Sequence, residues 1–220
     1  MELLVATLAH TVVGNDVDSM ARLRFISDTM HNAPGLVNTR FFRGKEPESY
    51  YFMLTTWEDE EFWHKAQDRH SPKNLLIGSA GELVTAPPEQ WLMHYLWGYS
   101  RPLAQPAIAA AHLVTVRPEQ ADRVERSWIE GLRWQAEQPT LAFAFLARGK
   151  SEDGALTQHA STNNTTQEDW ADKYNRYFLN LLSWPGETQR KDFYADQNYK
   201  ALSGFLSSVG VVRVLSLDPV

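Results

Sequence analysis

Histidine and tryptophan crowd one passage of this sequence, TTWEDEEFWHKAQDRHSP, residues 55–72. Trp57, Trp63, His64 and His70 are residue types that hold flat aromatic molecules and move protons near neutral pH. His64 and His70 lie six residues apart, about 240° round an α-helix, so one metal ion cannot be shared by both from one face. Zinc-type H-x-x-x-H spacing is absent from this helix, and no pair of Glu-x-x-His motifs completes a di-iron set. The chemistry left to these histidines is that of an acid, a base or a hydrogen bond to a substrate. Trp63, Ala66 and His70 fall on one helical stripe, so the tryptophan and the second histidine share a face.

Composition removes whole classes of function. The chain has 220 residues and no cysteine, so disulfides, thiolate metal sites and cysteine nucleophiles are excluded. A net charge of -6 repels phosphate backbones and anionic lipid, which argues against nucleic acid and membrane partners. There is no G-x-G-x-x-G, no Walker loop and no G-x-S-x-G elbow. MELLVATLAHTVV is apolar without a basic leader and reads as a strand rather than a signal peptide. No apolar run reaches membrane-spanning length, and a cytoplasmic protein is the expectation. The count of Trp 8, Tyr 8 and Phe 10 points to a pocket for a flat, apolar ligand.

The elements that must position these residues come in two similar halves. Leu3–Val13 reads as a strand, Asp16–Pro34 as a helix ended by Pro34, and Gly35–Gly44 as a second strand. A third strand ends at Trp57, an acidic turn opens the helix Glu58–His70, and Glu89–Ser100 is a fourth strand. SRPLAQPA, residues 100–107, is the linker, giving two domains at 1–102 and 103–220. Beyond it, Ala110–Pro118 reads as a strand and Glu119–Gln138 as a helix with Val124, Trp128 and Leu132 on one face. Thr140–Lys150 and Gly154–Asn164 read as strands, Gln167–Trp184 as a helix and Val209–Asp218 as the last strand. The expected fold is therefore α+β: two tandem ferredoxin-like β-α-β-β-α-β units, sheet against sheet, enclosing a cavity.

Strand alternation splits the third strand into Tyr50, Phe52, Leu54, Thr56 and Tyr51, Met53, Thr55, Trp57. Helix packing suits the first set, which sends the second into the cavity. Laying the halves on each other puts His159, Ser161 and Asn163 on Tyr51, Met53 and Thr55, so a polar wall faces an aromatic one. The expected substrate-binding residues are then Tyr51, Met53, Trp57, His159, Ser161 and Asn163, and the catalytic ones His64, His70 and Trp63.

YYFMLTTWEDEEFWHKAQDRHSP, with its strand ending in Trp57, acidic turn and aromatic, histidine-bearing helix, resembles the antibiotic biosynthesis monooxygenase family of dimeric α+β barrel proteins. The tandem order resembles a fused version of that usually two-chain barrel; a further homodimer of the fused chain stays open. One branch implied by the resemblance oxidises electron-rich polyketide aromatics with dioxygen and no cofactor. It carries a tryptophan at the Trp57 position and an asparagine four residues earlier, where this sequence has Met53. A second branch degrades haem through a histidine ligand and a tryptophan on the second helix, which His70 and Trp63 resemble. Chlorite-dismutase-like haem proteins place the ligand in the second half, where His159 and His112 are the candidates. The leading expectation is a cofactor-independent monooxygenase for a small aromatic molecule, with a haem enzyme and a non-catalytic binder of an apolar molecule as alternatives.

Overall fold

The third strand of the first half, YYFMLTTW, is the spine on which that half is assembled. The computed structural model describes residues 2–11, 16–45, 49–71, 73–75, 78, 84–149 and 176–219. The first half contains β1 (Leu3–His10), α1 (Asp16–His31), β2 (Leu36–Gly44), β3 (Tyr50–Trp57), α2 (Glu60–His70) and β4 (Glu89–Ser100). β1 lies between β3 and β4 and β3 between β1 and β2, every pairing antiparallel, which gives the order β4–β1–β3–β2. The chain divides into two compact units, and the division falls inside β4, between His94 and Tyr95.

In the first unit, Tyr51, Met53 and Trp57 join Leu3, Val5 and Ala9 of β1 in one core. Ile26 and Met30 of α1 and Trp63 and Ala66 of α2 pack into the same core. The row Tyr51, Met53, Trp57 therefore faces the helices, the reverse of the sequence-based assignment. The alternation is right and the direction is not. Tyr50, Phe52 and Leu54 are buried as well, so both rows are apolar enough for either side, and alternation alone cannot orient a strand buried on two faces. Trp57 settles the matter by meeting Trp63 edge-on, ring centroids 5.4 Å apart.

Helix α2 follows its sequence signals closely. Asp59 caps it by accepting from the Phe62 amide at 3.0 Å, and Glu60 and Glu61 occupy its first turn, Arg69 and His70 its last. Each charge complements the partial charge of the helix end it occupies.

The second unit contains β5 (Ile108–Val116), a 3-10 turn (Pro118–Gln120), α3 (Ala121–Glu137), β6 (Phe143–Gly149) and β7 (Arg176–Trp184). It ends with α4 (Glu187–Ala195), α5 (Gln197–Val209) and β8 (Gly210–Pro219). Its antiparallel strand order is β8–β5–β7–β6. Val124, Trp128 and Leu132 of α3 are buried together, as their spacing predicts, against Phe178, Leu182 and Trp184 of β7.

One expectation for this half needs correction, and another falls outside the described residues. Residues 176–184, read as the end of a helix, form strand β7. RYFLNLLSW is almost continuously apolar and buried on both faces, and such a run carries neither helical nor alternating periodicity. The helical passage comes later, as α4 and α5. Trp184 ends β7 as Trp57 ends β3. The strand expected over 154–164, with His159, Ser161 and Asn163, lies outside the described residues. No helix among the described residues is long and apolar enough to cross a membrane.

Candidate active site

Strand β5 turns Ala110, Val114 and Val116 toward the helices, and the same alternation brings His112 to that side. Directly opposite it on β7 stands Asn180, in the row that carries Phe178, Leu182 and Trp184. Two polar side chains thus sit side by side in an otherwise apolar surface, 3% and 1% exposed.

Two tyrosines close over His112 from the helical layer. Asp196, between α4 and α5, caps α5 by accepting from the Tyr199 amide at 2.9 Å. The same carboxylate oxygen accepts from Gln135 Nε2 of α3 at 2.8 Å, so the corner is tied down from two directions. Tyr194 lies in the last turn of α4 just before this corner, and Tyr199 in the first turn of α5 just after it. Both phenolic oxygens lie 3.2 Å from His112 Nε2.

Electrostatics keep all three groups neutral near pH 7. Burial pushes the His112 imidazole down to about 4, with a main-chain contact at Asn180 working weakly against it. Burial raises the Tyr194 phenol to about 12, against the nearby Arg190 charge. Tyr199 is raised in the same way, first by burial and then by Tyr194. A ring nitrogen offers one lone pair or one proton, never both. Two hydroxyls sharing Nε2 therefore cannot both spend their hydrogen on it, and at least one phenol keeps donor capacity for a third group.

The surroundings are aromatic. Trp184 meets Phe193 and Tyr194 with centroids 5.3 and 5.5 Å apart, and Tyr199 lies 5.2 Å from Tyr194. Trp184 Nε1 and His112 Nδ1 are buried without a hydrogen-bond partner among the described residues. Buried polar atoms are rarely left so.

The corresponding place in the first unit is filled differently. Thr7 pairs with Met53 across β1 and β3, as His112 pairs with Asn180. Gln90 donates to Thr7 Oγ1 at 3.0 Å, and Trp57 Nε1 donates to Thr55 Oγ1 at 3.0 Å. Trp63 is 1% exposed and serves this core. His64 is 64% exposed and lies 3.4 Å from Glu60, while His70 is half-buried at the end of α2. The structure brings Tyr51, Met53, Trp57 and Trp63 together in one core and leaves His64 outside it.

No family model and no curated protein matches the sequence. Solved structures do. An anthrone oxidase-like protein matches with a TM-score of 0.74 at 12% identity, over 100% of this chain and 91% of its own. A candidate monooxygenase from Fusobacterium nucleatum matches with a TM-score of 0.69 at 8% identity, over 99% and 92%. Another, from Lactobacillus acidophilus, gives 0.63 at 9% identity, over 100% and 94%. What they share with this chain is the α+β fold.

Asn180, Trp184, Tyr194 and Tyr199 are the residues that sequence reasoning missed. One signal was present: YYFMLTTW, ending at Trp57, lies directly over YFLNLLSW, ending at Trp184. That alignment places Asn180 on Met53. Among the described residues no group of three or more His, Asp or Glu side chains could hold a metal ion.

Proposed function

We propose that the chain is a duplicated ferredoxin-like oxygenase whose working half is the second unit. Its substrate is a small electron-rich aromatic molecule carrying a phenol, enol or activated methylene group. The observation that carries this reading is the Asn180–Trp184 spacing on β7, with Asn180 directly opposite His112. The resemblance expects an asparagine four residues before the tryptophan that ends the third strand. The first unit lacks it at Met53, and the second has it. The fold shared with an anthrone oxidase-like protein is consistent with this assignment.

The chemistry asked of the protein is modest. An anthrone-type methylene loses a proton, and the resulting anion reduces dioxygen. Recombination and loss of water turn CH2 into C=O, with the second oxygen atom leaving as water. The protein has to exclude solvent and stabilise the anion by fixed donors. A tyrosyl hydroxyl left over from the His112 contact, the Asn180 amide and Trp184 Nε1 are donors of that kind. His112 is not the final store for the proton. With its pKa near 4, holding a proton at neutral pH would cost about 4 kcal/mol at roughly 1.4 kcal/mol per unit. Its part is to position the phenols and pass hydrogen bonds along. None of these steps requires haem.

The test is oxygen uptake with anthrone and dihydroxynaphthalene in the absence of added cofactor. Uptake by the wild type that collapses in Asn180→Ala and Trp184→Phe supports the reading. Aromatic binding without oxygen consumption would make the chain a binder, and a Soret band formed with added haemin would restore the haem alternative.

A further inference from the structure

We propose that Trp128 is a positioning residue for the same reaction, a role that rests on the reading above: its indole sets the orientation of the Asn180 amide. With the Asn180 amide turned so that its oxygen faces the indole, Oδ1 accepts from Trp128 Nε1 at 3.1 Å and Nδ2 donates to the Phe145 carbonyl at 2.9 Å; the opposite setting satisfies neither. An indole N–H can only donate and a carbonyl can only accept. These two contacts together therefore allow one orientation of the amide and forbid the flipped one, which would set N–H against N–H and oxygen against oxygen. A primary amide has two N–H donors and an oxygen with two lone pairs. One of each is spent on Trp128 and Phe145. One N–H and one lone pair remain, on a residue directly opposite His112.

Trp128 is well placed to hold this setting. It lies in mid-helix on α3, is 2% exposed, and belongs to the buried stripe with Val124 and Leu132. Its ring packs against Phe178, two residues before Asn180 on β7, with centroids 6.1 Å apart. Helix α3 thereby reaches the strand both through packing and through one directed hydrogen bond. In the first unit no such amide exists to be set, because Met53 occupies the position. Trp128 acts on the reaction through Asn180, without itself meeting the substrate.

The experiment is to replace Trp128 by benzothienylalanine, which keeps the shape of the ring and substitutes sulfur for N–H. Trp128→Phe is made beside it as an encodable variant, and its fold is checked by thermal melting. The expected result for the isostere is a fall in kcat of about tenfold or more with KM changed by less than about threefold. A second fall should be nearly absent when the isostere is combined with Asn180→Ala. A Trp128 role confined to packing would leave the isostere with wild-type kcat while Asn180→Ala is impaired; that overturns the positioning role and leaves the proposed function standing. Wild-type oxygen uptake in Asn180→Ala itself would overturn both. An independent readout is the indole proton of Trp128, which should exchange slowly with solvent in the wild type and faster in Asn180→Ala. Equal exchange in the two also counts against the bond.

Discussion

His112 and Asn180 stand opposite each other across the β5–β7 ladder, at the positions that Thr7 and Met53 hold across β1 and β3 in the first unit. The two units are thus furnished differently at these positions. One copy carries a threonine and a methionine, with Gln90 donating to Thr7 Oγ1. The other carries an imidazole and an amide and leaves buried polar atoms over. Converting the second furnishing into the first is a direct test of which copy works. Asn180→Met should lower oxygen uptake at least about tenfold. It should also cost about 2–4 kcal/mol of stability, since Trp128 Nε1 and the Phe145 carbonyl both lose a buried partner. Met53→Asn should not create activity. Urea unfolding and oxygen uptake on the two variants check both statements.

The neutral, buried His112 makes a prediction about pH. Its imidazole titrates near 4 in the folded chain against an ordinary 6.5. Between those values the unfolded chain binds a proton that the folded chain refuses. Stability from this group is therefore complete above the upper value and is lost as pH falls through the window, at up to about 1.4 kcal/mol per unit. His112→Gln should flatten that part of the profile. Urea midpoints across the window, compared between wild type and variant, decide it; parallel profiles would mean that the imidazole is not held neutral.

The shared nitrogen predicts redundancy between the phenols. Tyr194 and Tyr199 both lie at 3.2 Å from His112 Nε2, and only one hydrogen bond can use its lone pair. Tyr194→Phe and Tyr199→Phe should each leave oxygen uptake within about threefold, whereas the double variant should lose about a hundredfold. Equal additive losses in the single and double variants would show that the tyrosines act separately.

What the sequence revealed, and what it hid, follows from how local each signal is. The acidic cap of α2 and the buried stripe of α3 are written within one or two helical turns, and both were legible. The alternation of β3 was legible too, but not its direction, because Tyr51, Met53 and Trp57 are no more apolar than Phe52 and Leu54. Strand β7 was lost because YFLNLLSW is apolar on both faces and shows neither a helical nor an alternating period, and Asn180 went with it. The approach of Tyr194 and Tyr199 to His112 joins residues more than eighty positions apart. Nothing near any of the three announces it.

Arg101–Ala104 offers a prediction about stability alone. The Ala104 amide bonds to the Arg101 carbonyl at 3.3 Å, with Pro102 second and Leu103 third at φ 65°. That is the backbone of a type II turn, whose third position favours glycine or asparagine. Leu103 is also fully exposed, so its side chain gains nothing from packing. Leu103→Asn should stabilise the chain by about 0.5–1 kcal/mol. An unchanged or lower urea midpoint would contradict the strain.

Trp63 and His64 are neighbours in sequence with opposite expected consequences. Trp63 is buried against Trp57, and Trp63→Ala should cost about 3–5 kcal/mol through lost burial and the cavity left behind. His64 is 64% exposed and lies 3.4 Å from Glu60, a surface pair worth about 0.3–0.5 kcal/mol. His64→Ala should therefore change stability little. If the chemistry belongs to the second unit, neither substitution should reduce oxygen uptake per folded molecule. The measurement is uptake at a temperature where circular dichroism shows both variants folded. A tenfold loss in either, with the fold intact, would move the reaction centre back to the first unit and to the helix that carries both residues.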